Sequence, residues 1–404
     1  MSRIYVFWYG VFLGLSLLTA CQQSATTRFE AISSSQTGVT FANTLTQTDK
    51  LNAFTFTNFY NGGGVGVGDV NNDGKPDIFF GGNQVSSRLY LNRIDSTTNS
   101  WKFEDITESA GVSTNRWCTG ISMVDLNGDG WLDIYVSVAK HPGMPQSANL
   151  LFINQGLKNG KPFFKEMAAE YGLADDSYTS QTAFFDYDLD GDLDAYLLNT
   201  APDLQNPNIL RQTYNDGSYP STGKLYRNEG VGAQGHPVFT NISKQAGIVY
   251  EGLGLGLAIS DLNKDGYPDI YCSNDFISSD ILYLNNGKQT TNGAAFTNVI
   301  RQATAHTSLY GMGVDVADFN NDGLPDIFQL DMLPEENARQ KKMLAGQDYD
   351  RKELSIAAPY HYQMQYMRNS LQLNLGVERG AGSREADINN PTPGTLPPAP
   401  SFPK

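Results

Sequence analysis

The sequence predicts an all-β fold, namely a β-propeller of four-stranded blades with one acidic hairpin loop in each blade. Three observations lead to this prediction. An acidic nine-residue pattern, exemplified by residues 125–133, occurs five times, and each copy is followed by a short β-prone run such as residues 78–80. Successive copies begin 56, 61, 75 and 57 residues apart. A period near sixty residues indicates a repeat architecture, in which each unit buries its faces by stacking on its neighbours.

The other segments of each unit also repeat, in a fixed order. A glycine stands five residues before the loop in four copies, at Gly64, Gly120, Gly256 and Gly313, whereas Gln181 replaces it in the third. After the loop comes a strand motif that ends in Asn, at residues 89–92, 152–154, 225–228, 282–285 and 371–374. A strand led by Phe and a turn then follow, at residues 103–112, 164–173 and 239–248, with a weaker copy at 296–299. About four short strands per unit make one propeller blade.

The acidic pattern has the composition of a cation-binding loop. Oxygen-bearing side chains occupy positions 1, 3, 5 and 9, and glycine at position 6 permits the sharp reversal that such a loop needs. A backbone carbonyl at position 7 would add a further oxygen, and an Asp at position 9 could close the shell with both of its oxygens. Six or seven oxygens in a flexible loop suit Ca²⁺ better than Mg²⁺. The predicted calcium ligands, by position 1, 3, 5, 7 and 9, are Asp69, Asn71, Asp73, Lys75 and Asp77; Asp125, Asn127, Asp129, Trp131 and Asp133; Asp186, Asp188, Asp190, Asp192 and Asp194; Asp261, Asn263, Asp265, Tyr267 and Asp269; Asp318, Asn320, Asp322, Leu324 and Asp326.

These loops differ from EF-hands in one required residue. An EF-hand needs a Glu at position 12 and helices on both sides. Position 12 here holds Phe80, Val136, Leu197, Cys272 and Gln329, and the flanks favour strands. We therefore predict about five structural Ca²⁺ ions, one in each of five β-hairpins, that brace the fold without taking part in chemistry.

Composition limits the classes of partner. The chain has 404 residues and a formal net charge of −15, much of which lies in the acidic loops. Five divalent ions would offset most of this charge, and the sequence has no basic stripe, so a nucleic-acid partner is excluded.

The first 21 residues are typical of a bacterial lipoprotein signal peptide. Arg3 supplies the positive charge, an apolar run follows, and Leu18-Thr19-Ala20-Cys21 resembles a lipobox. This resemblance implies cleavage before Cys21 and a lipid anchor on that residue; the alternative is an ordinary signal peptide that ends in Cys. Residues 22–28 are a predicted tether. The remaining cysteines, Cys118 and Cys272, lie in different repeats and are predicted to be buried free thiols.

The repeats resemble the FG-GAP or VCBS-type calcium-loop repeats of integrin α-subunit heads, and they are similar to bacterial lipoproteins of the cartilage acidic protein type. The likeness covers residues 29–375. It implies β-propellers, often with seven blades, that bind proteins or glycans at the cell surface, and an outer-membrane or cell-surface location. The calcium role carries over to the loop positions named above, including the third copy, which has Asp188 in place of Asn and an additional Asp192.

Both ends of the chain depart from the repeat. Residues 29–60 match the Phe-led part of a unit, which predicts that they supply a strand that completes the last blade. A helical insertion is predicted at about residues 333–360, and residues 376–404 form a Pro-rich tail that is predicted to be disordered. Five loops with partial first and last units leave open whether the ring is complete or open, and whether the chain is the front part of a longer protein.

The sequence favours a binding module over an enzyme. None of the four histidines, His141, His236, His306 and His361, lies in a motif of a metal site or a nucleophile, so we expect no catalytic activity. Two alternatives remain: a calcium-dependent propeller enzyme, lyase or hydrolase, that degrades polysaccharide, and a non-functional fragment. The expected partners are a protein or glycan ligand at the cell surface and the membrane through Cys21; the sequence does not decide the oligomeric state.

Overall fold

In the computed structural model, residues 29–95, 97–98, 100–140, 146–200, 211–276, 278–287, 293–340 and 363–376 are described. The signal peptide, Cys21, the tether residues 22–28, His141, His361, residues 341–360 of the predicted insertion and residues 377–404 of the tail lie outside this part. The chain divides into two compact units, residues 1–174 and 175–404. Within the described part, no helix is both long and apolar enough to cross a bilayer.

The first unit contains two four-stranded antiparallel sheets, which we call blades 1 and 2. The strands of blade 1 are β1 Val65–Gly68, β2 Asp77–Phe80, β3 Arg88–Asn92 and β4 Phe103–Asp105. The strands of blade 2 are β5 Cys118–Val124, β6 Asp133–Val138, β7 Leu150–Lys158 and β8 Lys161–Glu166. Each sheet keeps the chain order of its strands, as the repeat pattern predicts.

The second unit contains blades 3, 4 and 5. Blade 3 consists of β9 Thr179–Phe185, β10 Asp194–Asn199, β11 Lys224–Val231 and β12 Pro237–Asn241. Blade 4 consists of β13 Gly254–Ser260, β14 Asp269–Asn274, β15 Ile281–Asn285 and β16 Phe296–Asn298. Blade 5 has three strands, β18 Gly311–Ala317, β19 Asp326–Asp331 and β21 Ser370–Gln372, and a short parallel pair, β17 Thr307–Ser308 with β20 Gln365–Tyr366, is separate from it. The prediction of an all-β chain with propeller-type blades is confirmed.

Short helices lie in the connections outside the sheets. They are one turn each: α1 Ser34–Thr37, a 3₁₀ turn Thr57–Tyr60, α2 Thr107–Ala110, α3 Ala168–Tyr171, α4 Ser243–Ala246, α5 Ile300–Ala303 and α6 Asn337–Gln340. Helices α2, α3 and α4 follow the Phe-led strands and end at Gly111, Gly172 and Gly247, each of which has a positive φ between 77° and 84°. The next residue in each case, Val112, Leu173 or Ile248, is fully buried, so the glycine turns the chain back into the core. Helix α6 is the only part of the predicted insertion for which the structure describes helix.

Neighbouring blades pack face to face within each unit. In the first unit, Phe79 of blade 1 and Ile134 of blade 2 belong to one core of fully buried side chains. In the second unit, one core joins blades 3 and 4, and another joins Tyr271 of blade 4 to Ile327 of blade 5. Burial of apolar side chains at these faces stabilises the fold by about 25 cal/mol per Å². Stacking of blades within a unit is the packing that the repeat predicts.

At two positions, Gly64 and Gly256, the glycine that precedes the loop marks a close approach between blades. A Cβ placed on Gly64 would lie 3.0 Å from the Cα of Gly120, and one on Gly256 would lie 2.5 Å from the carbonyl oxygen of Met312. First strands of neighbouring blades therefore approach backbone to backbone at this point. This contact explains the glycine at these two positions.

The expectation for residues 29–60 is wrong. The structure describes no strand in these residues, and the segment lies against blade 1 instead of completing the last blade. The Phe41 ring stacks on Phe80 with centroids 5.0 Å apart, and the Thr40 N–H donates to the Tyr90 hydroxyl at 3.3 Å. Side-chain bonds from Asn52 and Thr55 to nearby backbone groups hold the segment in turns, which compete with strand pairing.

The two described cysteines are free and buried, as predicted. Burial raises the pKa of the Cys118 thiol to about 11 and that of Cys272 to about 12. Cys118 contacts Ser87, and Cys272 contacts the Tyr196 hydroxyl. Both thiols are thus packing residues that stay protonated at neutral pH.

Candidate calcium loops

All five acidic loops connect the first strand of a blade to the second, and their backbones have the same conformation. The glycine at position 6 has a positive φ in every copy, between 82° and 98°. Position 4 has a positive φ as well, between 56° and 69°, at Asn72, Gly128, Leu189, Lys264 and Asn321. The recurring glycine predicts the reversal at position 6, whereas the reversal at position 4 has no sequence signal because no single residue type recurs there.

Hydrogen bonds from the loop backbone orient the carboxylates at positions 1 and 5. In each loop one oxygen of the first Asp accepts the N–H of position 5 at 3.0–3.1 Å, and its other oxygen accepts the glycine N–H at 2.7–3.0 Å. The Asp at position 5 accepts the N–H of position 7 at 2.8–3.0 Å. The two carboxylates are thus fixed on one short loop with lone pairs to spare, which is the arrangement that an oxygen-coordinated cation needs.

The residue at position 3 is Asn in four loops and takes part in the same network. Its amide oxygen accepts the N–H of position 5 at 3.0–3.2 Å, and its amide nitrogen donates to the carboxylate of position 5 at 2.8–3.2 Å. This donation offsets part of the repulsion between the carboxylates of the loop.

The third loop has a carboxylate at position 3 and therefore lacks that donor. The side-chain oxygen Oδ1 of Asp188 is buried and has no hydrogen-bond partner. Burial, together with the charges of Asp190 and Asp186, raises the pKa of Asp188. Ligand atoms of Asp186, Asp188 and Asp194 all lie within 4.8 Å of one another, and in the described part of the chain this is the one group of three acidic side chains so close together. A divalent cation would pair with the orphaned oxygen and remove the repulsion, so these residues fit Ca²⁺.

The Asp at position 9 has a structural role in all five loops. These side chains are at most 1% exposed. One oxygen accepts the N–H of position 2 at 2.8–3.1 Å, and the other accepts the N–H of the Asn that ends the third-strand motif at 2.7–2.8 Å. The loop pattern predicts that this residue is a calcium ligand. The structure adds that it links the loop to the third strand; its part in the shell stays a prediction.

Burial changes the titration of this Asp in the first four loops. It raises the pKa of Asp77 and Asp269 to about 6, and that of Asp133 and Asp194 to about 7. The two backbone N–H bonds act in the opposite direction, whereas the other carboxylates of the loop raise the pKa further. A bound divalent cation would reverse the balance, because its charge favours the ionised form.

The Asn that meets position 9 is the residue that sequence analysis missed. It is Asn92, Asn154, Asn228, Asn285 or Asn374. Its amide oxygen accepts the N–H of the residue two positions later at 2.9–3.0 Å, and its amide nitrogen donates to the carbonyl of loop position 8 at 3.0–3.3 Å. The signal was visible as the Asn that ends each third-strand motif, but only the three-dimensional arrangement connects it to the loop.

The same Asn also joins one blade to the next within a unit. The amide nitrogen of Asn154 donates to the carbonyl of Val70 at 2.9 Å, which links blade 2 to the loop of blade 1. Asn285 and Asn374 reach the carbonyls of Tyr187 and Leu262 at 2.8 Å in the second unit. The acidic loops are therefore not isolated turns, since each described neighbour pair inside a unit is tied through loop position 2.

Comparison with known proteins identifies the repeated segment. The model of an FG-GAP-like repeat matches residues 69–136 and 261–328. Each matched segment contains two acidic loops: the first segment contains those of blades 1 and 2, and the second contains those of blades 4 and 5. Cartilage acidic protein 1 of Xenopus tropicalis is 27% identical over 237 residues, which are 57% of this chain and 32% of that protein. The human protein of the same name is 26% identical over 236 residues, 58% of this chain and 31% of that protein. The match thus spans about a third of the length of these relatives.

Two solved structures resemble this chain with lower sequence identity than these relatives. The Vibrio cholerae biofilm matrix protein Bap1 has a TM-score of 0.32 and 14% identity, over 66% of this chain and 34% of the other. An Agrocybe aegerita lectin that recognises non-reducing terminal N-acetylglucosamine has a TM-score of 0.38 and 14% identity, over 66% of this chain and 60% of the other.

Proposed function

Starting from a chain of FG-GAP-like repeats arranged as propeller blades, we propose that this protein is a calcium-stabilised binding module. It is held outside the cytoplasm by a lipid on Cys21, at the bacterial outer membrane or cell surface, and it binds a protein or a glycan. In this proposal the calcium ions are structural, and the ligand is bound by loops at the other end of the blades.

One observation carries the proposal: the acidic loops are repeated in detail, whereas the connections at the opposite end of each sheet are not. The bonds from backbone N–H groups to the carboxylates of positions 1, 5 and 9 recur in all five copies, as expected of a structural element. The connections between second and third strands run over residues 81–87, 139–149, 200–223, 275–280 and 332–369, and so differ widely in length. Loops that vary on a rigid scaffold are the usual place for binding residues.

The oxygen-only donor set supports calcium in particular. Carboxylate, amide and backbone oxygens are the ligands that Ca²⁺ takes in flexible loops, and extracellular modules of this kind bind with a Kd of about 10⁻⁴–10⁻³ M. Such an affinity is useful outside the cell, where free calcium is high, and this agrees with the proposed location.

The test is a screen for ligands with the calcium-loaded protein, by glycan array and by pull-down from cell-surface extracts. We expect a saturable ligand whose binding falls on chelation because the scaffold loosens. Absence of any ligand in both screens would contradict the proposal. Release of unsaturated uronate from polysaccharides should be measured in parallel, since turnover that requires calcium would favour the lyase alternative.

Membrane association is tested separately, in cells. Replacement of Cys21 by Ser should move the protein from the membrane fraction to the soluble fraction, because the acyl chains are then lost. Unchanged membrane association of Cys21→Ser would show that an ordinary signal peptide or another anchor is present.

A further inference from the structure

The second unit contains a polar pocket at the end of blades 3 and 4 that lies opposite the acidic loops. Its cavity volume is about 340 Å³. The walls come from the connection between β10 and β11, the connection that leads into β13, the connection between β14 and β15, and the turn after β16. Because the strands are antiparallel, these four segments meet at the same end of the sheets. The volume of the cavity falls in the range of small-ligand sites.

We infer that this pocket holds one sugar unit of an acidic oligosaccharide. This inference rests on the binding function proposed above. Tyr214 and Tyr250 would pack against the sugar ring, and Arg301 would pair with its carboxylate. Sugars offer a flat apolar face and a rim of hydroxyl groups, so they are recognised by aromatic rings together with planar polar side chains. Both kinds of group line this pocket.

The aromatic wall is held rigid by a buried ion pair. Glu251 is 8% exposed, and its two oxygens accept Arg211 guanidinium N–H groups at 2.7 and 2.8 Å. The Arg211 guanidinium carbon lies 5.0 Å from the centre of the Tyr214 ring and 4.7 Å from that of Tyr219. The two rings stack with centroids 4.8 Å apart, and Tyr214 remains 39% exposed. An exposed ring whose position is already fixed loses little entropy when a ligand binds.

Backbone bonds tie this wall to the next one. The Glu251 N–H donates to the Tyr214 carbonyl at 3.0 Å, and the Tyr214 N–H donates to the Glu251 carboxylate at 2.8 Å. The Gly217 N–H donates to the carbonyl of Val249 at 2.9 Å. The loop that carries Tyr214 and the segment that carries Tyr250 therefore form one preformed edge of the pocket.

The charges around the pocket favour an anionic ligand. Glu251 is already paired with Arg211, so it adds no net charge. Asp280 is 1% exposed, and its carboxylate accepts the Tyr271 hydroxyl at 2.8 Å, the Asn274 N–H at 2.9 Å and the Gln329 amide at 3.1 Å, so it is engaged inside the blades. Arg301 is exposed and makes no ion pair with any residue that the structure describes. It is thus the cation of the pocket that is open to a ligand.

Planar amides complete the rim. Gln212, Asn215 and Gln302 line the pocket, are exposed, and make no side-chain hydrogen bond within the described residues. Each amide carries both a donor and an acceptor, which matches sugar hydroxyl groups. Ile281 and Ile300 are buried at the base, so the pocket has an apolar floor and a polar rim.

The experiment measures binding of the calcium-loaded full chain to an array of acidic oligosaccharides, with methyl-esterified versions of the same chains as matched neutral probes. We expect binding of an acidic oligosaccharide and about tenfold weaker binding of its ester, which corresponds to about 1.4 kcal/mol. Equal or tighter binding of the ester would overturn the acidic assignment. If no saccharide binds, the inference fails, even where a protein ligand found by pull-down preserves the proposed function.

Variants locate the site. Arg301→Gln replaces an exposed side chain and should leave the melting temperature unchanged, but it should weaken acidic-saccharide binding about tenfold and abolish the preference over the ester. Tyr214→Ala should weaken binding about tenfold, whereas Tyr214→Phe, which keeps the ring, should bind nearly as well as the parent. Arg227→Gln and Tyr60→Ala are matched controls, since both side chains are exposed and lie outside the pocket. If Arg301→Gln and Tyr214→Ala bind like the parent, the saccharide is bound elsewhere and this assignment is wrong.

Discussion

At the scale of single residues, position 4 of the acidic loops shows a conflict between local sequence and fold. Asn and Gly adopt the left-handed backbone conformation readily, and they occupy this position at Asn72, Gly128 and Asn321. Leu189 adopts the same conformation with φ of 58°, although a leucine side chain disfavours it. Its side chain is 52% exposed, so packing gives little in return. The loop hydrogen bonds therefore impose the conformation on Leu189.

We expect Leu189→Gly to increase the free energy of unfolding by about 1 kcal/mol, because the strain of a non-glycine residue in this conformation is removed. The measurement is chemical denaturation with and without calcium. Leu157→Gly is the matched control: Leu157 is 51% exposed, but it lies in a strand and has no positive φ, so this change should destabilise. Equal effects of the two substitutions would show that Leu189 is not strained.

A second residue with a defined energetic role is Asp175. Its carboxylate accepts the Lys224 ammonium at 2.5 Å, the Tyr226 hydroxyl at 2.6 Å and the Ser177 N–H at 2.9 Å. Burial alone would raise its pKa, but the charge of Lys224 and these hydrogen bonds outweigh burial, so the pKa is lowered. A folded-state pKa below the unfolded value gives stability that is present above the unfolded pKa and is lost as the pH falls through the folded one.

Asp175→Asn should therefore reduce the free energy of unfolding at pH 7 by about 1–3 kcal/mol, because a buried charged hydrogen-bond acceptor is lost. The difference between variant and parent should shrink as the pH falls below about 3.9, the ordinary value for Asp. Urea denaturation across this pH range is the measurement. Glu229→Gln, which breaks the exposed pair with Arg227, is the control and should cost less than about 1 kcal/mol. A pH-independent difference for Asp175→Asn would contradict the pKa argument.

At the scale of the loop and its hairpin, the carboxylates at positions 5 and 9 differ in burial and in hydrogen-bond partners. Asp129 at position 5 is exposed and bonded only inside its own loop, whereas Asp133 at position 9 is buried and caps both Leu126 and Asn154. Removal of Asp129 should therefore affect calcium binding more than folding, and removal of Asp133 should affect both.

The test compares Asp129→Ala with Asp133→Ala by calorimetric titration of calcium and by denaturation in chelator. Asp129→Ala should lose one calcium site and change metal-free stability by less than about 1 kcal/mol. Asp133→Ala should lower metal-free stability by about 1–3 kcal/mol, because two backbone donors lose their buried acceptor. If Asp129→Ala binds as many calcium ions as the parent, the loop assignment is wrong.

The Asn that ends the third-strand motif ties one blade to the next at Asn154, Asn285 and Asn374. Asn285→Ala removes the bonds to Gly287, Pro268 and Tyr187, the last of which lies in the preceding blade. We expect a loss of about 1–3 kcal/mol and faster amide hydrogen exchange in the loops of both blade 3 and blade 4. The neighbouring change Asn286→Ala affects bonds to Ala294 and Thr297 only and should leave exchange in blade 3 unaltered. Faster exchange confined to blade 4 in Asn285→Ala would contradict the inter-blade role.

These elements also show what the sequence could predict. The acidic positions, the glycine at position 6 and the four-strand unit follow from residue types with strong local preferences; the loops are present in all five blades, and four of the five described blades have four strands. The coupling of position 9 to Asn92 and its equivalents joins residues 15–48 positions apart, for example Asp326 and Asn374, so no local pattern shows it. The segment at residues 29–60 was misassigned because its Phe-led start resembles a strand, while the bonds that hold it in turns depend on neighbouring polar side chains. The pocket near Arg301 was missed because its lining comes from four separate connections.

At the scale of the whole molecule, the net charge of −15 bears directly on the stability of the two units, because much of that charge lies in the acidic loops. Each unit depends on inter-blade packing that is tied through the acidic loops, so repulsion within a loop opposes the packing that surrounds it. Two loops lie in the first unit and three in the second. Calcium bound to the folded loops would stabilise each unit in proportion to its number of sites.

We therefore expect chelation to lower the melting temperature of the calcium-loaded protein by about 10 °C or more. At free calcium tenfold above Kd each site adds about 1.4 kcal/mol, and five independent sites add about 7 kcal/mol, which is comparable to the net stability of a domain. The measurement is scanning calorimetry over a calcium titration, with magnesium at equal ionic strength as the control for screening. The transition of the three-loop unit should shift more than that of the two-loop unit. A melting temperature that is unchanged by chelation, or restored equally by magnesium, would show that the acidic loops are held by their own hydrogen bonds without calcium.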